Sequence, residues 1–279
     1  MSERHFEDSS LAENYEKYRL QYTDLGIEDN ALTFLREELK EDPQSLAVDV
    51  GCGTGQFTVL LAPRFSKVIG VDCSSAQISV AKQKAIEGNL EYREGVAEHL
   101  PFLGDNSVDL VTTMGAMQYF DAPQFLAEVH RVLKPRGCLM IGIFDVTNLS
   151  LHADTEGKNS TVNERCTSLC REIVNVSIQQ LGENAQKMFY TVDHPSPDYP
   201  EFQSFSKRAL KHFNGVHEFE GFMKSFGGLR TYLQENPNST MINDYKERLT
   251  EILGAVFSSP KTTPLAYAMD LKMSMYRKP

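Results

Sequence analysis

The sequence predicts an α/β fold in which a mostly parallel sheet is covered by helices on both faces. Short apolar runs rich in β-branched residues alternate with segments that carry apolar residues at helical spacing. This alternation is typical of βαβ units, whose strands are buried on both sides. A glycine-rich segment, residues 51–55, directly follows the first of these runs and directly precedes a helical segment. The 279 residues suit one α/β domain with added elements, or two small domains.

The first half of the chain contains five predicted strands and three predicted helices. The strands are Leu46–Val50, Lys67–Val71, Leu90–Arg93, Val108–Thr113 and Cys138–Phe144. The helices are Phe57–Phe65, Ala76–Glu87 and Gln124–Leu133. Ser74 and Ser75 are suitable N-cap residues for the second helix. Residues 134–137, Lys-Pro-Arg-Gly, predict a turn, because proline ends a helix and glycine tolerates unusual backbone angles.

The pattern changes after Asp145. Residues 146–210 are polar, with helical character at Arg165–Leu181 and a proline-rich turn at 194–200. Residues 216–254 predict two helices separated by Asn236-Pro237-Asn238, and Leu265–Tyr276 is again strand-like. We therefore expect a mostly helical insertion before the last strand, and such an insertion usually covers the carboxyl ends of the strands and selects the substrate.

Composition and charge narrow the classes of partner. The chain carries 28 Lys and Arg against 38 Asp and Glu, a net charge of −10, which disfavours binding to nucleic acid. Its first ten residues lack the apolar segment of a signal peptide, and no apolar stretch has the roughly 18 residues that a membrane span requires. The five scattered cysteines suit reduced thiols, so we expect a cytoplasmic protein.

The cysteines do not predict a metal site. Cys166 and Cys170 are four residues apart, on one helical face, but no second Cys or His pair follows at zinc-finger spacing. The histidines likewise show no metal-binding spacing. Two small thiols that are buried or half-exposed are the simpler interpretation.

The segment Asp49-Val50-Gly51-Cys52-Gly53-Thr54-Gly55 predicts a ligand-binding turn. Its glycines allow the backbone to approach a ligand closely, and the following helix directs unpaired N–H groups toward the same place. A dinucleotide fingerprint, G-x-G-x-x-G, would require glycine or alanine where Gln56 or Thr58 stands. The Gly-Lys-Ser/Thr of a phosphate-binding loop is also absent. The spacing therefore argues against a dehydrogenase and against a P-loop nucleotide-binding protein.

This segment resembles the first motif of the class I, seven-strand S-adenosylmethionine-dependent methyltransferases, D/E-x-G-x-G-x-G. Residues 94–102, 105–109 and 133–138 are similar to three further signatures of the family, in the same order. The resemblance implies a Rossmann-like sheet of seven mostly parallel strands. It also implies S-adenosyl-L-methionine as methyl donor, S-adenosyl-L-homocysteine as product, and no metal.

The resemblance also implies a place for each part of the cofactor. Asp72 ends the second strand, where a carboxylate accepts hydrogen bonds from ribose hydroxyls. Ala97 and Glu98 would lie beside the adenine, and Met114 would face the cofactor. Tyr18 and Arg19 belong to a Tyr-x-x-Tyr-Arg stretch that would cover the methionine end, although a solvated amphipathic helix is the alternative. The predicted cofactor-binding residues are Tyr18, Arg19, Asp49, Gly51, Gly53, Gly55, Asp72, Cys73, Ala97, Glu98 and Met114.

The resemblance implies one methyltransferase domain, residues 1–279, with four regions. Residues 1–40 would form N-terminal helices that cover the cofactor, and residues 41–145 would form the cofactor-binding core. Residues 146–260 would form the mostly helical insertion or substrate lid. Residues 261–279 would form a terminal strand region.

The acceptor is less well defined by the sequence. A sulfonium methyl group is already activated, so catalysis requires alignment and exclusion of water, with no fixed triad. Gln118 and Tyr119 follow the fourth strand and are the candidate catalytic residues. Trans-aconitate-type relatives often have histidine at the position of Gln118, so a general base there is disfavoured. Packing between helix and sheet is the alternative role for Tyr119.

Residues 219–222 and 229–233 resemble, more weakly, the late segment of trans-aconitate methyltransferases. That resemblance implies a substrate site with Tyr119, Arg230 and Tyr232, in which Arg230 would clamp an acid. An exposed surface arginine is the alternative. The implied function is methylation of the carboxylate oxygen of a small organic acid. The competing hypotheses are N- or C-methylation of a metabolite, a catalytically silent S-adenosylmethionine-binding protein and an RNA methyltransferase.

Overall fold

A seven-stranded sheet forms the centre of the protein. The computed structural model describes residues 16–19, 22, 44–83, 85, 88–153 and 159–279. The strand order is β3-β2-β1-β4-β5-β7-β6, and β7 runs antiparallel to both β5 and β6. The strands are β1 (Leu46–Val50), β2 (Lys67–Asp72), β3 (Leu90–Glu94), β4 (Val108–Met114), β5 (Leu133–His152), β6 (Glu201–Phe213) and β7 (Leu265–Arg277). The predicted α/β fold with a seven-strand, mostly parallel sheet is confirmed.

Eight α-helices accompany the sheet within the described residues. They are α1 (Thr58–Leu61), α2 (Ser75–Lys82), α3 (Ala122–Val132), α4 (Ser160–Gln179), α5 (Glu183–Thr191), α6 (Val216–Lys224), α7 (Gly227–Glu235) and α8 (Met241–Gly254). Ser74 caps α2 by accepting a hydrogen bond from the Gln77 N–H at 3.2 Å, as its residue type predicts. Separate apolar cores lie on the two faces of the sheet, so the central strands are buried on both sides.

Strand β6 was not predicted, and it interrupts the helices of the insertion. Residues 201–213 lie at the edge of the sheet, where β6 pairs with β7 and most of its residues are exposed. A solvated edge strand needs few apolar residues, so its sequence resembles a polar loop. Helices α4 and α5 precede β6, and α6, α7 and α8 lie between β6 and β7.

Two other local predictions were wrong. Residues 134–137 are not a separate turn but the beginning of β5, where the pairing with β4 shifts register between Val108 and Leu110. Arg136 has φ 70°, the left-handed backbone of an irregular strand. Residues 216–254 form three helices, because the chain also breaks at Ser225, whose Oγ donates to the Phe222 carbonyl. The predicted break at residues 236–238 is confirmed.

Most of the predicted N-terminal covering helices, residues 1–40, lie outside the described residues, Tyr15 included. Of the residues in this range that the structure describes, 16–18 are helical. In the described part of the chain, no helix is both long enough and apolar enough to cross a lipid bilayer.

Candidate functional site

The glycine-rich turn lies at the carboxyl end of β1. Gly51, Gly53 and Gly55 have φ angles of 69°, 55° and 79°, in the left-handed region that favours glycine. The N–H groups of Gly51 and Cys52 donate to the Val71 carbonyl at 2.8 and 3.0 Å, which fastens the turn to β2. A Cβ atom at Gly51 would lie 2.4 Å from the Cβ of Ala116. The turn therefore requires both the conformational freedom and the small size of glycine.

Asp72 is held firmly at the end of β2. Its Oδ2 accepts the Gly53 N–H at 2.8 Å, and its Oδ1 accepts the Ser74 N–H at 2.9 Å. Each carboxylate oxygen has a further lone pair beyond the one that such a bond uses. The carboxylate thus links the glycine turn to the start of α2 and fixes a negative charge in the wall of a cavity.

Asp49 has a structural position beneath the turn. Its side chain is buried and accepts hydrogen bonds from the hydroxyls of Thr58 and Thr112, both at 2.7 Å. Burial raises the pKa of this carboxyl to about 6, against the opposing effect of the two hydroxyl donors. The arrangement connects β1, α1 and β4 behind the glycines.

The main cavity has a volume of about 160 Å³. One end lies over the carboxyl ends of β1, β2 and β4, where most of the predicted site residues occur. The predicted residues in its wall are Arg19, Gly51, Gly53, Asp72, Cys73, Ala97, Glu98, Met114, Gln118 and Tyr119. The fold therefore brings these ten positions together around one space.

The remaining predicted site residues lie outside this wall. Asp49 instead lines a smaller pocket of about 20 Å³, together with Gly51 and Gly53. Gly55 faces Tyr92, and a Cβ added there would lie 2.4 Å from the Tyr92 hydroxyl. Tyr18 packs on Gly221, where an added Cβ would lie 2.5 Å from its ring.

Arg230 and Tyr232 are half-buried on α7, beyond the residues of that helix that line the cavity. Their predicted substrate contacts, like the cofactor contacts of Tyr18, Asp49 and Gly55, stay predictions.

The other end of the cavity was missed by the sequence analysis. It is formed by residues of β5, β7, α4 and α7, together with residues at and near α5, and most of them are apolar. They are Phe144, Val146, Val174, Ser177, Ile178, Leu181, Phe189, Phe226, Gly227, Gly228, Tyr267 and Met269. The amphipathic pattern of α4 shows that one face is buried, but it does not show that part of this face borders a site. We call this apolar end the acceptor chamber.

Between the two ends lies the segment that follows β4. The Gln118 Nε2 donates to the Gly115 carbonyl at 2.7 Å, so this amide holds the turn in place. Tyr119 is half-buried in a short 3-10 helix, residues 117–119, that packs against α5. The Glu98 Oε1 accepts the Asp121 N–H at 2.8 Å, at the start of α3. The wall of the cavity is thus fixed by its own hydrogen bonds.

Arg19 extends the site toward the chamber. Its guanidinium lies 4.9 Å from the centre of the Phe226 ring, within the range of a cation–π contact. Among the described residues that line the cavity, Arg19 carries the only positive charge, whereas Asp72 and Glu98 carry negative charges. The two ends of the cavity therefore differ in charge as well as in polarity.

Cys166 and Cys170 are buried thiols in α4, as the simpler interpretation of the sequence indicated. No group of three or more His, Cys, Asp or Glu side chains in the described ranges is arranged to hold a metal ion.

Part of the chain is similar to known methyltransferases. Residues 48–141, from β1 into β5, match the family described as a methyltransferase domain. The match over these residues and the methyltransferase relatives support the predicted class, the class I S-adenosylmethionine-dependent methyltransferases. A Dictyostelium discoideum protein described as a methyltransferase is 27% identical, over 86% of this chain and 83% of its own.

Other relatives match over a shorter region or share the fold alone. A demethylmenaquinone methyltransferase of Lactobacillus johnsonii is 34% identical, but over only 40% of this chain and 48% of its own length. The solved structure of a methyltransferase from Anaeromyxobacter dehalogenans has a TM-score of 0.64. It shares 21% identity and covers 93% of this chain and 98% of its own, which shows a common fold.

Proposed function

We propose that this protein transfers a methyl group from S-adenosylmethionine to the carboxylate oxygen of a small organic acid. The observation that carries the proposal is the single cavity, which joins the glycine turn and Asp72 to the acceptor chamber. A donor and an acceptor that occupy the two ends of one cavity are held as neighbours, which is the main requirement of a methyl transfer.

The residues at the donor end fit S-adenosylmethionine. Gly51 and Gly53 present backbone without side chains, and Asp72 presents hydrogen-bond acceptors suited to a ribose diol. Ala97 and the exposed apolar side chain of Val96 form a surface suited to the adenine ring. When bound, S-adenosylmethionine supplies a methyl group on a positively charged sulfur.

The acceptor needs no base from the protein. A carboxylic acid is ionised at neutral pH, since its ordinary pKa lies near 4. Its oxygen forms the new O–CH₃ bond while the S–CH₃ bond breaks and leaves its electron pair on sulfur, so no proton moves. Gln118 and Tyr119 lie in the wall between the two ends of the cavity, where their role is to position the acceptor and exclude water.

Charge supports an anionic acceptor. Arg19 lines the cavity next to Phe226, and the first two residues of α7, Gly227 and Gly228, line it as well. The N-terminus of α7 adds partial positive charge on the same side as Arg19. Both features would stabilise a carboxylate that enters from the chamber.

The direct test uses pure protein, methyl-labelled donor and a panel of carboxylic acids, amines and phenols. We expect labelled methyl ester from at least one acid, detected by mass spectrometry. Turnover of amines or phenols alone would overturn the carboxylate assignment. Tight binding of the donor by calorimetry, with no transfer to any member of a broad panel, would favour the catalytically silent alternative.

Arg19→Gln separates two roles for this cation. If Arg19 holds the acceptor carboxylate, KM for the acid should rise about tenfold to a hundredfold while the Kd of S-adenosylmethionine is unchanged, because a charged hydrogen bond contributes about 1.5–3 kcal/mol. If it holds the carboxylate of the methionine portion, the Kd of the donor should rise instead. Lys17→Gln is the matched control, since Lys17 is exposed on the same segment and lies outside the cavity wall.

Methylation at nitrogen or carbon is the second candidate. The apolar lining of the chamber suits an aromatic acceptor, and the Lactobacillus johnsonii relative is described as acting on demethylmenaquinone. The panel of acids, amines and phenols distinguishes this candidate, because the labelled methyl group would be found on nitrogen or carbon and not on a carboxylate oxygen.

A further inference from the structure

We propose that the acceptor carries a bulky apolar body, an aryl ring or an alkyl chain, and no second charged group. The inference rests on the proposed function and specifies its substrate class. Under it, the reacting group lies near Tyr119 while the apolar body fills the acceptor chamber. Polycarboxylic acids of the trans-aconitate kind are thereby excluded as substrates.

The walls of the chamber are apolar on several elements at once. Its side chains include Val146, Val174, Ile178, Leu181, Phe189 and Phe226. Val174, Ile178 and Leu181 are buried, and Phe189 and Phe226 are half-buried. Burial of an apolar ligand surface against such walls contributes about 25 cal/mol per Å².

The two polar side chains of the chamber, Ser177 and Tyr267, each form a hydrogen bond within the protein. The Ser177 Oγ accepts the Leu229 N–H at 3.0 Å. The Tyr267 hydroxyl donates to the sulfur of Met269 at 3.3 Å. The Tyr267 hydroxyl thus uses its donor within the protein, and Ser177 has one O–H to donate, so the two side chains offer at most one donor to the extra carboxylates of a polyacid.

The charges in the cavity wall also indicate an acceptor with only one carboxylate. Arg19 is the only cation in the described wall of the cavity, and one carboxylate is enough to pair with it. A second or third carboxylate would be buried among apolar side chains without a counter-ion, at a cost of several kcal/mol. Asp72 and Glu98, at the other end of the cavity, would repel it.

The test compares acids that differ in their apolar body. Phenylacetic acid and octanoic acid represent single carboxylates with a large apolar group, acetic acid a single carboxylate without one, and trans-aconitic acid a polyacid. We expect kcat/KM for the best apolar acid to exceed that of acetic acid at least about a hundredfold, since each buried CH₂ contributes about 0.8 kcal/mol. We expect no turnover of trans-aconitic acid.

The outcomes separate this inference from the proposed function. Methyl ester from trans-aconitic or acetic acid at rates equal to those of the apolar acids would overturn the inference and leave the carboxylate assignment intact. Methylation of apolar phenols or amines, with none of any acid, would overturn the carboxylate assignment and leave the apolar chamber supported. Absence of transfer to every probe would overturn both.

A variant pair tests the chamber itself. Phe189→Ala should raise KM for the best apolar acceptor about tenfold and leave the Kd of S-adenosylmethionine unchanged, because it removes apolar contact area at the acceptor end only. The matched control is Tyr190→Ala, the next residue on α5, which is 44% exposed and outside the cavity wall. Equal effects of the two variants on KM would contradict the placement of the acceptor, and their unfolding temperatures report whether either change acts through stability.

Discussion

At the scale of single residues, the glycine motif combines two different tasks. Gly51, Gly53 and Asp72 form the wall of the cavity, whereas Asp49 lies behind it and joins three elements through Thr58 and Thr112. A buried carboxylate is costly when ionised unless hydrogen bonds compensate. Asp49 therefore contributes to the site by fixing the turn, and it does so with a side chain whose charge depends on pH.

The raised pKa of Asp49 predicts a pH-dependent stability. Its folded-state pKa, about 6, lies above the pKa of 3.8 of an unperturbed aspartate, so the folded protein binds this proton more tightly. The stability from this group is fully present below about pH 4 and is lost as the pH rises through about 6, a change of about 3 kcal/mol. Asp49→Asn should remove this pH-dependent contribution from the free energy of unfolding, because asparagine does not titrate.

Urea denaturation of wild type and variant between pH 4 and pH 7 measures the difference. The exposed variant Asp198→Asn should keep the wild-type profile. Parallel profiles of wild type and Asp49→Asn would show that Asp49 does not titrate in this range.

The residues of the donor end could be identified from the sequence because they are local. Asp49, Gly51 and Gly53 belong to one turn, and Asp72 ends the next strand, so their positions follow from a βαβ unit. The chamber residues Val146, Ile178 and Phe226 come from elements far apart in sequence, and only the packing of those elements brings them together. Residues 226–228 illustrate this limit, since they line the cavity although no sequence motif selected them.

At the scale of elements, the contact between α7 and α4 shapes the chamber. A Cβ atom at Gly228 would lie 1.9 Å from the carbonyl oxygen of Ser177, which is backbone and cannot rotate away. The glycine thus allows the start of α7 to lie directly against α4. The hydrogen bond from the Leu229 N–H to the Ser177 Oγ completes the same contact.

Gly228→Ala is expected to push α7 away from α4. The overpacking should lower the free energy of unfolding by about 1–3 kcal/mol and raise KM for the acceptor. Gly254→Ala is the matched control: its Cβ would meet only Pro260, at 3.8 Å, and alanine should stabilise the end of α8 by up to about 1 kcal/mol. Thermal unfolding measures the stability of both variants. Equal stability of Gly228→Ala and Gly254→Ala would contradict the close contact between α7 and α4.

The elements themselves were predictable to different degrees. Strands β1, β2 and β4 are mostly apolar because both of their faces are covered. Strand β6 has no such pattern, since its partner strand lies on one side and solvent on the other. The break at Ser225 also escaped prediction, although the pair Gly227-Gly228 follows closely and is a signal for a turn. The side-chain hydrogen bond from Ser225 to Phe222 is visible only in three dimensions.

At the scale of the whole molecule, the residue that follows the last strand, Lys278, connects distant parts of the chain. The Lys278 Nζ donates to the Asn106 Oδ1 at 2.8 Å and to the carbonyls of His130 and Leu133 at 2.6 and 2.7 Å. Its side chain is largely buried, and its charge lies near the carboxyl end of α3, where a cation is favourable. One residue after β7 therefore stabilises the corner between α3 and β5.

Lys278→Met should destabilise the protein by about 2–3 kcal/mol, because three acceptors lose a charged donor. Lys278 and its three acceptors are not among the described residues that line the cavity, so the Kd of S-adenosylmethionine should stay within about twofold when measured well below the unfolding temperature. Lys261→Met, at an exposed lysine, is the control for loss of charge. Wild-type stability of Lys278→Met in chemical denaturation would contradict the role assigned to these bonds.

The order of strands also constrains how the protein matures during synthesis. Strand β7 lies between β5 and β6 in the sheet although it follows both in the chain. While the ribosome is still making residues 214–264, β6 has been produced but its partner strand has not. The donor end, built from residues before β5, can assemble at that stage, whereas the chamber must wait for Tyr267 and Met269. If the donor end folds at that stage, a nascent chain has one end of the cavity before residues of the other end have been made.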